Sequence, residues 1–304
     1  MARDMGRIVV VGSLNMDLVL RTPQIPAPGQ TILASHFQMI PGGKGANQAY
    51  AAARLGARVS MVGKVGYDLF GDRLRANLAA AGVDVSQVRS TQTAPTGAAS
   101  ITVDDHGQNA IVVASGANFA WSPKEAESLR PILRGASFAL FQLETPVEFV
   151  EAVLAIAKSE GVQTLLDPAP ARPLSQQILD HTDYLTPNES EAALLTNSQT
   201  TNLSDTAKAL HAIGARRIVL KLGAKGAYFS GGAQTHHSPA PQVEAIDTTA
   251  AGDTFNAALA VALSEDQSIE AAMLFANRAA ALSVTRPGAQ SSAPTRQEIE
   301  AFPS

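Results

Sequence analysis

Short apolar runs alternate with Ala-rich amphipathic stretches along most of this chain, and that alternation most narrows the folds open to it. Residues 8–11 (Ile-Val-Val-Val), closed by Gly12, are apolar at every position, as a strand buried on both faces must be. Residues 59–62, 138–141, 164–166, 184–185 and 218–220 are similar short runs, interrupted only by Ser60 and Thr164. Between them lie 46–55, 71–81, 146–160, 188–195 and 206–213, whose apolar positions recur at helical spacing, and from Ala250 onward 252–264 and 268–284 extend the helical pattern. Strand followed by helix, repeated, predicts an α/β fold of three layers: a wound, mostly parallel sheet with helices on both faces.

Two stretches break the rhythm. Residues 17–40 hold apolar segments at 18–20 and 32–37 around the turn Pro26-Ala-Pro-Gly29, and residues 96–114 hold 99–103 and 110–114 around Asp104-Asp-His-Gly107. Both read as hairpins of alternating residues, predicting a small antiparallel β-sheet that acts as a lid. No linker, low-complexity segment or fixed repeat divides the chain, so residues 1–304 are expected to form one domain. With 45% apolar and 16% charged residues the chain can bury a large core. A net charge of −4, with no basic run, gives no footing for nucleic acid. Residues 1–12 are a short charged lead into a strand without the apolar core of a signal peptide, and no segment is long enough to span a bilayer. The absence of cysteine removes thiolate chemistry and fits a reducing compartment. The expected location is the cytoplasm.

Several common sites are missing from the sequence. Gly42-Gly-Lys-Gly-Ala-Asn47 and Gly223-Ala-Lys-Gly226 lack the spacing of a GxxxxGK[ST] phosphate loop, no GxGxxG follows Val11, and neither HExxH nor GxSxG occurs. His236-His237 reads as a solvated loop pair. What remains are polar strand ends and helix starts. Asp247-Thr-Thr-Ala-Ala-Gly-Asp253 puts small residues before a helix, so free N–H groups can meet an anion while Asp253 reaches a substrate hydroxyl; an ordinary helix cap has the same pattern. Pro41-Gly-Gly-Lys-Gly-Ala-Asn47 permits close backbone approach, with Lys44 and Asn47 suited to sugar hydroxyls, and is equally a glycine hinge. Gly12-Ser-Leu-Asn-Met-Asp17 follows the first strand; Asn15 and Asp17, two apart, face one side of an extended chain and could grip hydroxyls or form an Asx turn. In Thr186-Pro-Asn-Glu-Ser-Glu191, Asn188 and Glu191 could hold Mg²⁺ through water, or form a capping box, the reading that spacing favours. Gln142-Leu-Glu144 and Asp167-Pro-Ala-Pro-Ala-Arg172 are further polar strand ends. Leu222-Gly-Ala-Lys-Gly226 suits either a nucleotide or a plain hairpin turn.

Taken in order, Gly-Gly-Lys-Gly-Ala-Asn at 42–47, Thr-Pro-Asn-Glu at 186–189, Leu-Gly-x-x-Gly at 222–226 and Asp-Thr-x-Ala-Ala-Gly-Asp at 247–253 resemble the ribokinase family of carbohydrate kinases (the PfkB group), from Ile8 nearly to the C-terminus. Within that family, Gly12-Ser-x-Asn-x-Asp17, Pro41 to Gln48 and Gln142-Leu-Glu144 are similar to the members that phosphorylate ribose. The resemblance implies a ribokinase-like fold with a lid through which two subunits pair, and ATP-dependent phosphorylation of D-ribose at its 5-hydroxyl. It places the sugar on Asn15, Asp17, Gly43, Lys44, Asn47, Glu144 and Asp253. Asp253 would be the base, and Ala250, Ala251 and Gly252 the anion hole. ATP would lie on Asn188, Lys221, Gly223, Ala224, Gly226, Gly252 and Asn277, with Mg²⁺ near Asn188 and Glu191. A monovalent cation, typically K⁺, would sit by Asp247, Thr249, Ser283, Arg286, Gly288 and Ser292, several acting through carbonyl oxygen. Ala250 replaces a glycine common in the family, Asp167 stands where many relatives have Asn, and Asn277 where a His can occur. Two alternatives stay open: a kinase of the family acting on deoxyribose or another small sugar, and a non-catalytic sugar-binding protein of the same fold.

Overall fold

The computed structural model describes residues 6–302, so the first five residues of the expected N-terminal lead lie outside it. Its thirteen strands run β1 (Arg7–Val11), β2 (Asn15–Thr22), β3 (His36–Gly42), β4 (Arg58–Gly66), β5 (Asp84–Thr91), β6 (Gly97–Asp104), β7 (Asn109–Ala114), β8 (Phe138–Phe141), β9 (Gln163–Leu166), β10 (Tyr184–Leu185), β11 (Arg217–Lys221), β12 (Ala227–Gly231) and β13 (Gln234–Ser238). The α-helices are α1 (Lys44–Arg54), α2 (Leu69–Ala80), α3 (Arg130–Leu133), α4 (Val147–Ser159), α5 (Gln176–Asp180), α6 (Glu189–Thr196), α7 (Leu203–Ala212), α8 (Ala251–Ser264), α9 (Ile269–Val284) and α10 (Arg296–Ala301).

Nine strands form the main sheet in the order β13-β12-β11-β10-β9-β8-β1-β4-β5. Pairing is parallel from β11 to β5, and β12 and β13 continue it as antiparallel strands. The strand period decides the layers: Ile8 and Val10 face the core shared with α1, α8 and α9, while Val9 and Val11 face that of α4, α5 and α7. The β12–β13 hairpin is not foreseen in the sequence: β13 is an exposed, polar edge strand, and the buried β12 is a short run ended by Ser230 and Gly231. His236 and His237 therefore lie in β13 and not in a loop, with His237 Nε2 3.1 Å from the Lys225 carbonyl. β5 is likewise missed, since its polar alternation lacks an apolar run.

The second sheet has four strands in the order β3-β2-β6-β7. The two expected hairpins are present as β2–β3 and β6–β7, but they join through a parallel pairing of β2 with β6, so the sheet is mixed and not wholly antiparallel. The cause is topological. β2 follows directly from β1 and β6 closely follows β5, and β1 and β5 point the same way in the main sheet, so both chains enter the small sheet in one direction. The strand expected at 32–37 begins only at His36 and runs on to Gly42, which brings its end beside Asn15. No described helix is long and apolar enough to cross a membrane.

Candidate active site

In an open parallel sheet the strand ends leave a crevice that connecting loops line. Here the carboxyl ends of β9, β10 and β11 deliver Asp167, Asn188 and Lys221 to one cavity bordered by the starts of α1 and α8, and Ser13 and Glu144, beyond β1 and β8, meet at its Lys44 side. Close approach is built in. Gly43 caps α1 with φ +92°, and a Cβ on it would stand 2.7 Å from the Asn15 nitrogen; a Cβ on Gly45 would meet three backbone atoms of Gly12 and Ser13 at 2.7 Å.

Beyond β1 and β8, the Ser13 hydroxyl and the Lys44 backbone N–H both donate to Glu144 Oε2, at 2.5 and 3.2 Å. Asn15 Oδ1 accepts from Asn118 Nδ2 at 2.7 Å, and Asn118 also holds both the N–H and the carbonyl of Leu14. The Asn15 amide NH₂ is thereby the end presented to a ligand. Burial, reinforced by the Glu144 charge, pushes Asp17 up to about 7. Burial acts to lower the pKa of Lys44, but Asp253, Asp167, Glu144 and Glu191 outweigh it and hold the ammonium above its ordinary value.

Asp253 sits in the first turn of α8, 5% exposed. Its Oδ2 accepts from Asn47 Nδ2 and its Oδ1 from Gln48 Nε2, both at 3.0 Å. Burial raises its carboxyl to about 6, opposed by the Lys44 charge and abetted by that of Asp167. α8 has no side-chain cap, and Ala250 precedes it at φ +59°, a left-handed conformation that costs a residue with a Cβ about 1–2 kcal/mol. Such a start leaves backbone N–H groups for an anion. Of the three donors expected there, that of Ala251 leans back to the Thr248 carbonyl at 3.3 Å.

A cavity of about 320 Å³ opens in front of this helix start, lined by Lys44, Asp167, Asn188, Glu191, Lys221, Gly252 and Asp253. A second, mostly apolar cleft of about 240 Å³ continues from it past Gly223, Ala224, Gly226, Val243, Phe255 and Asn277. The polar volume suits phosphates and the apolar one a planar base. Leu222-Gly-Ala-Lys-Gly226 serves both alternatives at once, being the β11–β12 hairpin turn and a wall of the cleft. Lys221 borders both the polar cavity and the cleft: its ammonium pairs with Asp167 at 2.8 Å, and a Cβ on Gly252 would stand 3.5 Å from it. Asn277 lines the cleft, but its Nδ2 donates to Ser238 and Pro239, so it fixes the wall. Asn188 and Glu191 form the capping box, each side chain bonding the other's backbone N–H at 2.8 Å, and both still border the polar cavity.

The residues expected around a monovalent cation meet only in part. Asp247 joins two segments, accepting from the N–H of Thr249 at 2.9 Å and of Gly288 at 2.8 Å. The Arg286 guanidinium pairs with Glu298 and has no lone pair to offer, so Arg286 could ligate only through its carbonyl, whereas the Ser283 and Ser292 hydroxyls donate to carbonyls of their own turns and keep oxygen lone pairs. Asn118 and Gln290 went unrecognised in the sequence, and Gln48 and Gln142 were named only within motifs and given no role, because a buried amide with a distant partner has no local signature. Asp167 was visible only as a polar strand end.

A buried carboxylate between a hydroxyl-binding hollow and a phosphate-sized cavity, on this fold, defines an ATP-dependent carbohydrate kinase. The chain belongs to the pfkB family of carbohydrate kinases, which it matches over residues 5–296. It is 45% identical over 296 residues to the ribokinase of Bacillus subtilis (strain 168), covering 97% of this chain and 99% of that one. It is 36% identical to the deoxyribokinase of Salmonella typhi, over 97% and 98% of the two chains. Among solved structures, Arabidopsis thaliana ribokinase complexed with ribose and ATP superposes with a TM-score of 0.93 at 35% identity, covering 98% of this chain and 99% of that one.

Proposed function

We propose that the enzyme transfers the γ-phosphoryl group of ATP to the 5-hydroxyl of D-ribose, giving ribose 5-phosphate and ADP. The observation that carries this reading is Asp253: buried, held by two amides, in the first turn of an uncapped helix, and lining the phosphate-sized cavity. Asp253 accepts the hydroxyl proton as the oxygen attacks phosphorus, and the N–H groups at the start of α8, with Lys44 and Lys221, meet the charge on the phosphoryl oxygens. Asn15, Asp17, Gly43, Lys44, Asn47 and Glu144 hold the sugar. The small sheet excludes water, so ADP release without sugar should be slow and rise sharply with ribose; equal rates would sink the reading. Because the base must be ionised, kcat/KM should fall as pH drops below about 6.

The donor set fits hard cations. Glu191 and Asp167 border the phosphate cavity, and no group of three or more His, Asp or Glu side chains is clustered for a metal among the described residues, so Mg²⁺ would be held by the nucleotide phosphates and water. Bound there, it neutralises phosphate charge. Asp247 with the carbonyls near the end of α9 offers an oxygen-only site of the kind K⁺ takes.

Likeness to a deoxyribokinase favours one competing acceptor, 2-deoxyribose. A panel of both pentoses with coupled ADP detection, run at varied K⁺, separates the two. The lid sheet also supports a homodimer, since it leaves Phe37, Met39, Ile111, Val112 and Val113 between 39% and 72% exposed, apolar on both faces. Val112→Asp is expected to shift the sedimentation profile toward monomer; an unchanged dimer would place the contact elsewhere.

A further inference from the structure

We infer that Gln48 is a positioning residue for Asp253, and that Gln142 fixes the direction of its amide. The inference rests on Asp253 being the base. Gln48 is fully buried, and its Nε2 donates to both Asp253 Oδ1 at 3.0 Å and Asp167 Oδ2 at 3.3 Å. Ionised carboxylates only accept, so the NH₂ end of Gln48 must face them and its Oε1 must face away. That oxygen meets Gln142 Nε2 at 2.7 Å, which in turn dictates the Gln142 orientation. The chain of amides therefore runs one way, and it ends at Gln142 Oε1, which is buried without a hydrogen-bond partner among the described residues. Room for that oxygen comes from Gly12, where a Cβ would stand 2.0 Å from it. A purely structural pair of glutamines would favour an arrangement that satisfies both oxygens.

The arrangement has two consequences for the reaction. It holds Asp253 from the Oδ1 side while Asn47, itself held by Gln290 Nε2 at 3.2 Å, holds it from the Oδ2 side. It also links the base to the Asp167–Lys221 pair, so the acceptor and nucleotide halves share one rigid element. The charges facing Asp253 are Lys44 of α1 and Asp167 beyond β9; Glu191 and Lys221 stand across the same cavity, and Glu144 on the sugar side. The Gln48 bond favours the ionised carboxylate, so its loss moves the base upward in pH.

The test compares Gln48→Leu, Gln142→Leu and Asp253→Asn in the full-length enzyme, following kcat, KM for ribose, the pH profile and thermal unfolding. Gln48→Leu should lose roughly 10- to 100-fold in kcat, as a misplaced catalytic group does. KM for ribose should change little, and the acidic limb of kcat/KM should move to higher pH. Gln142→Leu should show the same signature more weakly; it removes one unpaired buried oxygen but leaves Gln48 Oε1 without its donor, so thermal unfolding should change only modestly. Unchanged kcat and pH limb in folded Gln48→Leu, with Asp253→Asn inactive, would overturn the positioning role and leave the base standing. An active Asp253→Asn would instead overturn the base.

Discussion

Asp253→Asn should lower kcat about a hundredfold to ten-thousandfold, the usual contribution of a positioned base, while ATP still binds. The nucleotide cleft is formed mainly by the β11–β12 turn, the loop before α8, and α9, none of which depends on this carboxylate. The same change tests a stability claim. Asp253 ionises at about 6 in the folded protein against an ordinary 3.8, because burial penalises the charge. A raised folded value means a contribution to stability that is complete below 3.8 and lost as pH rises through about 6. At neutral pH the ionised group then opposes folding by roughly 3 kcal/mol, since each tenfold change in proton affinity is worth about 1.4 kcal/mol. Asparagine removes that burden but offers one oxygen to two amide donors, which offsets part of the gain. The expected result is a near-dead enzyme that melts at the same temperature or higher at pH 8, with the advantage shrinking toward pH 4. A variant that is both inactive and strongly destabilised at pH 8 would show that the carboxylate serves the fold.

Gly45→Ala should harm the enzyme by a different route. The added Cβ would stand 2.7 Å from the carbonyl carbon and Cα of Gly12 and from the Ser13 nitrogen, all backbone, so no side-chain rotation can make room. Overpacking of this kind costs about 1–3 kcal/mol. The start of α1 must move away from the β1–β2 junction, carrying Lys44, Asn47 and Gln48 with it. Displacing groups that hold sugar and base should cost roughly a hundredfold in kcat/KM for ribose. Ala53→Gly on the same helix, far from the junction, is the control for helix propensity at about 1 kcal/mol. Wild-type kinetics in Gly45→Ala would mean that the contact between helix and turn is looser than these distances require.

The buried strands β1, β4, β8, β9 and β11 announce themselves in the sequence as continuous apolar runs, and α1, α4, α8 and α9 by helical spacing. Both signals are local, so the wound α/β core follows from the chain alone. β5 and β13 do not, because a strand exposed on one side at a sheet edge is half polar and merges with loops, and the buried β12 is too short an apolar run to stand out. The two hairpins of the small sheet were visible, yet their parallel junction was not, since the pairing of β2 with β6 joins segments far apart in the chain and leaves no mark on either.

The site divides in the same way. Asp253 at a helix start, the glycines before α1, and Asn188 with Glu191 are written in neighbouring residues, so the sequence by itself determined which groups are candidates for the chemistry. Only the folded chain decided what surrounds them: that Gln48 touches a residue 205 positions away, that Lys221 neutralises Asp167, and that Asn118 turns the Asn15 amide toward the hollow. Short-range patterns are set by backbone geometry and burial period, which repeat along the chain. Contacts between distant side chains depend on how layers pack, and the orientation and ionisation of each catalytic group follow from that packing.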